Sequence, residues 1–383
     1  MQNEMNRGEP NRWRRSGLKF LREAVPSAEC WQKIAPCTPP GAPKKPRPRQ
    51  FVPRLLTAAL VLLAACATPP RERPIPRDAI GINMHPDREV NPAAAARQFA
   101  DCREIGLGQA RVAVEWATIE PRRGQFDFST MDRTLELAEA NGVELLEVLC
   151  YNAPWNSPIP GSTKTMPADL AAFGDFVEHM AKRYRGRIRA WEVWNEPNAD
   201  TFLTGPYAEH PEQRWHDYAA ILETAYRSLK RVDPANTVVF GGLAHTSDHW
   251  WTDLEACYEA GALRWCDVLA IHPYAGGHPE RDPWYARYID EILRVMAARG
   301  DGARPVWITE VGRTTAGHEL AVSEAQQAGN IEPTFRVALR RPQVQRIYYY
   351  ALRDDGESFG LFRSDGTPKP AAARLRDLCR GAR

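Results

Sequence analysis

From residue 78 onward, short apolar runs alternate with longer stretches whose apolar residues recur at helical spacing. The runs are five to seven residues long and rich in β-branched and aromatic side chains, which reads as strand. They fall at Ala79–Met84, Ala110–Glu115, Glu144–Cys150, Ile188–Trp194, Thr237–Gly241, Asp267–Ile271, Val306–Glu310 and Gln345–Tyr350. Their starts lie about 30 to 50 residues apart. Between them the spacing predicts helices, among them Pro92–Ile105, Ser129–Asn141, Ala168–Tyr184, Glu212–Val232, Pro283–Arg299 and Ser323–Arg340. A Gly or Asn closes several of these, as at Asn141-Gly142 and Arg299-Gly300, where a helix C-terminus needs a left-handed residue.

Strict alternation of strand and helix implies a parallel sheet. Eight such units over roughly 300 residues fit a closed α/β barrel of the (β/α)₈ TIM type, occupying 78–383 as one domain. An open doubly wound sheet is the alternative. No Gly-x-Gly-x-x-Gly follows the first strand and no phosphate-binding loop motif is present.

Residues 1–50 carry no sustained apolar period and are rich in Pro and Arg, which reads as a disordered basic leader. Either this is a basic arm or translation starts further along, at Val52. Leu55 to Ala65 is an uncharged run of eleven residues, too short to span a bilayer and of signal-peptide length. Residues 51–65 are therefore expected to be a signal peptide. The four prolines between Ala67 and Pro76 make 66–77 a tether.

The formal net charge of +2 hides an asymmetry. Twelve basic and four acidic residues lie in the first 65, so the remaining 38 basic and 44 acidic residues leave a body of −6. A mildly acidic body argues against a nucleic-acid partner. Of eight cysteines, five lie in the predicted domain. Cys257 with Cys266, and Cys102 with Cys379, are candidate disulfides in an exported protein, with buried free thiols as the alternative. No Cys/His cluster has metal spacing, so neither a structural metal nor a cofactor is expected.

Two strands end in a carboxylate. Trp191, Val193 and Trp194 climb to Asn195-Glu196-Pro197, and Val306-Trp-Ile-Thr-Glu310 repeats the pattern. A carboxylate at the end of a buried strand is costly to desolvate. In a (β/α)₈ barrel the C-terminal strand ends form the active-site face, so the two glutamates are expected to meet there. A carboxylate pair is the minimum equipment for cleaving a glycosidic bond. The same filter places Asn83 and His85, Arg111, Asn152 and Trp155, His272 and Tyr274, and Tyr350 on one rim. Amides, an arginine and aromatics suit a carbohydrate substrate. One difficulty remains: neighbouring residues on a strand face opposite ways, yet Asn195 and Glu196 must both reach the site. Glu192 is expected to face helices or a neighbouring strand.

Trp194-Asn195-Glu196-Pro197 and Trp307-Ile-Thr-Glu310 resemble the acid/base and nucleophile strands of clan A of the glycoside hydrolases. Arg111 to Trp116 and Ile119-Glu120-Pro121, with Phe359-Gly-Leu361 and Asp365-Gly-Thr-Pro-Lys-Pro370, are similar to family 39 and its bacterial exopolysaccharide-hydrolase relatives. Together these motifs span 80 to 372. The resemblance implies a retaining β-glycosidase acting on an oligo- or polysaccharide by double displacement. It makes Glu310 the nucleophile and Glu196 the acid/base. Arg111 and Tyr274 would keep Glu310 ionised, and Asn195 would bind the 2-hydroxyl; His272, His85 and Trp155 are further candidate substrate contacts. Where some clan members have a strand-8 tryptophan, Tyr348-Tyr-Tyr350 stands here. Leu63-Ala-Ala-Cys66 resembles a bacterial lipobox, which implies lipidation of Cys66 and a lipoprotein held at the cell envelope, periplasmic or surface-exposed; separately, a monomer is expected. The alternative is a lipid-anchored polysaccharide-binding barrel without turnover.

Overall fold

Eight parallel strands form the sheet of the computed structural model, which describes residues 74–89, 91–245, 251–274 and 276–382. They are β1 (Ile80–Asn83), β2 (Gln109–Val112), β3 (Glu144–Leu149), β4 (Ala190–Val193), β5 (Thr237–Phe240), β6 (Leu269–His272), β7 (Val306–Val311) and β8 (Val344–Tyr349). β5 resumes as Leu243–Ala244 after Gly241 and Gly242 and pairs there with β6. The order runs from β5 through β4, β3, β2 and β1 to β8, β7 and β6. Hydrogen bonds from Phe240 N to Val268 O at 2.9 Å and from Asp267 N to Val238 O at 2.8 Å join the two edges. The sheet is a closed barrel, as the alternating pattern predicts.

Among the described residues eight longer helices follow the strands: α1 (Pro92–Ile105), α2 (Ser129–Ala140), α3 (Leu170–Arg183), α4 (Pro211–Val232), α5 (Trp251–Glu259), α6 (Pro283–Ala298), α7 (Glu324–Leu339) and α8 (Pro370–Gly381). Their ends follow local chemistry. Asn91 accepts from Ala93 N and Gly106 closes α1 at φ 92°. Asp169 accepts from Ala172 N, so α3 starts two residues later than the apolar period suggests. Ser323 and Gln326 form a reciprocal capping box at α7. Each such cap stabilises its helix by about 1 kcal/mol.

The main core lies between barrel and helices, with Phe99, Trp116, Phe173, Tyr218 and Tyr288 fully buried. A smaller cluster of Leu146, Ala190, Val239, Val268, Ala270, Trp307 and Tyr348, drawn from β3 to β8, forms a second core inside the barrel. Gly81 faces the Tyr348 ring so closely that any Cβ there would strike it. Tyr348 is thus a packing residue, its hydroxyl 3.2 Å from Gln109 Oε1.

Cys102, Cys150, Cys257, Cys266 and Cys379 are all free and buried, so neither candidate pair is bridged. Cys66, the apolar run before it and Trp250 lie outside the described residues.

Candidate active site

Glu196 and Glu310 meet on the C-terminal rim of the barrel. One carboxyl oxygen of each, with a ring nitrogen of His272, lie within 4.8 Å of one another. Glu196 is 3% exposed and the Glu310 side chain 12%.

The β4 end shows how adjacent residues reach one site. Trp194 has φ 72° and Glu196 φ 46°, two non-glycine residues in the left-handed region. Each costs on the order of 1–3 kcal/mol and persists only where the surroundings enforce it. They are enforced here from several sides. Trp194 is fully buried and donates Nε1 to Phe202 O at 2.9 Å. Tyr218, on α4, donates its hydroxyl to Val193 O at 3.0 Å and accepts from Gly241 N at 2.7 Å. Arg214 donates to Pro197 O and Leu203 O, both at 3.1 Å. A Cβ at Gly241 would collide with the carbonyl of Val193. The regular ladder therefore stops at Val193, and the chain twists so that Asn195 and Glu196 both turn inward.

Arg111 is the hub. Its Nε lies 2.7 Å from Glu192 Oε2 and its Nη2 3.1 Å from Glu192 Oε1. Nη2 also reaches Asn195 Oδ1 at 2.7 Å, while Nη1 donates to Asn83 Oδ1 at 3.0 Å and to Glu310 Oε1 at 2.7 Å. Tyr274 donates its hydroxyl to Glu310 Oε2 at 2.8 Å. Burial alone would disfavour the guanidinium, but Glu192 and Glu310 overcome it and keep Arg111 charged.

Burial raises the proton affinity of both Glu196 and Glu310, and a neighbouring carboxylate pushes each further; a charged His272 would draw Glu196 back down, as Arg111 and Tyr274 do Glu310. A close pair of buried carboxyls holds a proton between them. Glu310 has a guanidinium and a phenol as donors, so the negative charge settles there and the proton on Glu196. Burial, Glu310 and Tyr350 hold the Tyr274 phenol well above its ordinary range, so it stays a donor.

His272 sits between the two glutamates. Its Nδ1 is 2.8 Å from Glu196 Oε1 and 3.8 Å from Glu310 Oε2, and its Nε2 is 2.9 Å from Thr309 Oγ1. Glu196, His272 and Glu310 each present a metal-ligating atom. Those atoms already engage one another, Arg111 and Tyr274, and the guanidinium supplies the positive charge beside Glu310.

The remaining rim residues are placed less centrally. His85 packs edge-on against Tyr350 at 5.9 Å, and burial, then Arg88 and Arg111, favour its neutral form. Tyr350 also meets Phe359 at 5.6 Å and Tyr274 at 6.4 Å, forming an aromatic wall. Trp155 donates Nε1 to Glu120 O at 2.9 Å and packs edge-on against Trp116. Asn152 is buried and ties its own loop through Asn156 O and Thr165 Oγ1. Trp284 packs against His245 and Tyr288.

Sequence reasoning passed over Thr309 and Gly242 and misplaced Glu192. Glu192 faces neither helices nor a neighbouring strand: it points into the barrel and binds Arg111. The signal was available, since one buried cation and one buried anion on nearby strands each need a partner.

Residues 104–242 match the model of glycosyl hydrolase family 10. Endo-1,4-beta-xylanase B of Humicola insolens is 33% identical over 97 residues, 24% of this chain and 26% of that enzyme, so the match spans about a quarter of that xylanase's length. Endo-1,4-beta-xylanase B of Thermotoga neapolitana is 24% identical over 360 residues, 84% of this chain and 97% of its own. A family 39 glycoside hydrolase from Bacteroides cellulosilyticus WH2 superposes with a TM-score of 0.62 at 21% identity, over 80% of this chain and 64% of that one. At that identity the structural likeness establishes the fold. Together these matches bear out the resemblance to the clan A barrels read from the motifs.

Proposed function

We propose that the barrel domain is a retaining β-glycosidase in which Glu310 is the nucleophile and Glu196 the acid/base. The approach of their carboxyl oxygens to within 4.8 Å carries this reading. Two carboxyls about 5–5.5 Å apart leave no room for an intervening water, so one of them must attack the sugar directly.

In the first step Glu310 bonds to the anomeric carbon as the glycosidic bond breaks, and Glu196 gives its proton to the departing oxygen. Arg111 and Tyr274 hold the attacking carboxylate ionised and oriented. Once Glu310 is an ester its charge is gone, the repulsion that kept Glu196 protonated falls, and Glu196 can take a proton from water. That water displaces Glu310 from the sugar and returns both carboxyls to their starting states. Asn195, held by Arg111, would bind the 2-hydroxyl, and Tyr350 with His85 would offer a wall for a ring face.

The substrate class we propose is a β-linked oligo- or polysaccharide. The xylanases among its relatives make β-1,4-xylan fragments the first substrates to try. The Cys66 lipobox and proline-rich tether favour a surface polymer such as an exopolysaccharide, reached from a lipid anchor on the cell envelope. Cys66→Ser should then move the protein from the membrane fraction to the soluble one.

The test of the mechanism is a pair of variants on an activated aryl β-glycoside. Glu310→Gln should abolish turnover, and azide should restore it to Glu196→Ala with a β-glycosyl azide as product. Wild-type rates in both variants would place catalysis on other residues, and a wild-type protein that binds glycans without cleaving any would move the reading to a binding barrel.

A further inference from the structure

The proton on Glu196 is held from two residues away. Thr309 Oγ1 lies 3.1 Å from Glu192 Oε1 and 2.9 Å from His272 Nε2. A hydroxyl has one proton to give. Glu192 is paired with the Arg111 guanidinium and only accepts, and a hydrogen bond to a charged acceptor is the stronger one, so the Thr309 proton goes to Glu192. The Thr309 oxygen is then left to accept, and His272 Nε2 must donate to it. A neutral imidazole that donates from Nε2 accepts at Nδ1. The group 2.8 Å from Nδ1 is Glu196 Oε1, and it satisfies that acceptor only when it carries a proton.

We infer that Thr309 is a positioning residue: its hydroxyl holds the Nε2–H tautomer of His272, which leaves Nδ1 as the acceptor that retains the proton on Glu196. The inference deepens the acid/base role proposed above and rests on it for its effect on turnover, though the tautomer stands apart from turnover.

The surroundings fit this chain and no looser one. His272 is fully buried. Gly242 lies so close to Nε2 that a Cβ there would overlap the ring, and its N–H donates to Glu192 Oε1 at 3.1 Å. The imidazole therefore cannot swing away from Thr309. The charged and titratable groups facing it are Glu192 from β4 and Glu196 just beyond it, Glu310 from β7, Arg111 from β2 and Tyr274 beyond β6. Arg111 and Tyr274 are committed to carboxylates, so Thr309 is the group placed to choose between the ring nitrogens.

Two measurements on the full-length protein test this. Long-range nitrogen–proton spectra of ¹⁵N-histidine-labelled protein, with His272 assigned by its loss in His272→Gln, should show Nε2 protonated and Nδ1 bare at neutral pH. Thr309→Val should lose that pattern and Thr309→Ser keep it. A wild-type His272 with its proton on Nδ1, or on both nitrogens, overturns the inference whether or not the protein turns over. On a β-glycoside with an unactivated leaving group, Thr309→Val lets Nδ1–H donate to the Glu196 carboxylate. The alkaline limb of kcat/KM should move to lower pH by roughly 0.5–1 unit, the worth of one net hydrogen bond. Thr309→Ser should restore it. An unmoved limb in Thr309→Val with a wild type that cleaves substrate overturns the inference alone; an active Glu196→Ala overturns the reading beneath it.

Discussion

Glu192 grips Arg111 at two points, Nε to Oε2 at 2.7 Å and Nη2 to Oε1 at 3.1 Å, with both side chains buried. The same guanidinium orients Asn195 and Glu310. A stretch of the barrel interior is thereby organised by one ion pair that touches no substrate in the proposed mechanism.

Removing one member of a buried pair leaves the other uncompensated, which costs about 3–5 kcal/mol. Glu192→Ala should therefore lower the unfolding free energy by that order in urea titrations and depress kcat as Arg111 loses its orientation. Glu192→Gln keeps the shape and should cost less.

Glu310→Gln should behave in the opposite way. It removes the carboxylate–carboxylate repulsion while Arg111 keeps Glu192, so thermal stability should hold or rise. Turnover should drop by on the order of a thousandfold or more, since the variant has no nucleophile. Differential scanning calorimetry beside steady-state rates separates the two effects.

Tyr218 bridges Val193 O and Gly241 N where the β4–β5 ladder stops. Tyr218→Phe leaves both backbone groups unsatisfied at a cost of about 1–3 kcal/mol. The left-handed turn that carries Glu196 should relax, so kcat should fall more than KM rises. Urea titration and Michaelis–Menten kinetics check the two halves.

Glu357, in the loop after β8, is pushed from an ordinary 4.5 to about 7, first by burial and then by Glu310. A carboxyl raised on folding binds more protons in the native than in the unfolded chain, so its contribution to stability falls as pH rises between the two values. Between about pH 4.5 and 7, wild type should lose stability relative to Glu357→Gln. Chemical denaturation of both proteins at pH 5 and pH 8 checks the sign.

The barrel was legible because parallel strands buried on both faces appear as apolar runs, and each of the eight matched a strand. Several strand ends were read too long, since Ala113, Val114 and Trp194 continue an apolar run yet leave the ladder, while β6 and β7 each run one residue past the predicted end. The glutamate pair was legible because a carboxylate ending such a run needs a partner. The turn that aims Glu196 was not, since Trp194 and Glu196 take a left-handed backbone that composition assigns to glycine. Thr309 was hidden for another reason. A threonine in a strand is ordinary, and its place between Glu192 and His272 arises only when β4, β6 and β7 close the barrel. Gly242 reads as a turn glycine, yet it is required by the close approach of an imidazole.

The stereochemistry of the first-formed product tests the central claim most directly. Proton NMR of the reaction mixture should be followed from the first minutes of cleavage of an aryl β-xyloside or of a xylo-oligosaccharide. Carboxyl oxygens within 4.8 Å predict that the β-anomer appears first and the α-anomer grows in only by mutarotation. Initial release of the α-anomer would contradict the account.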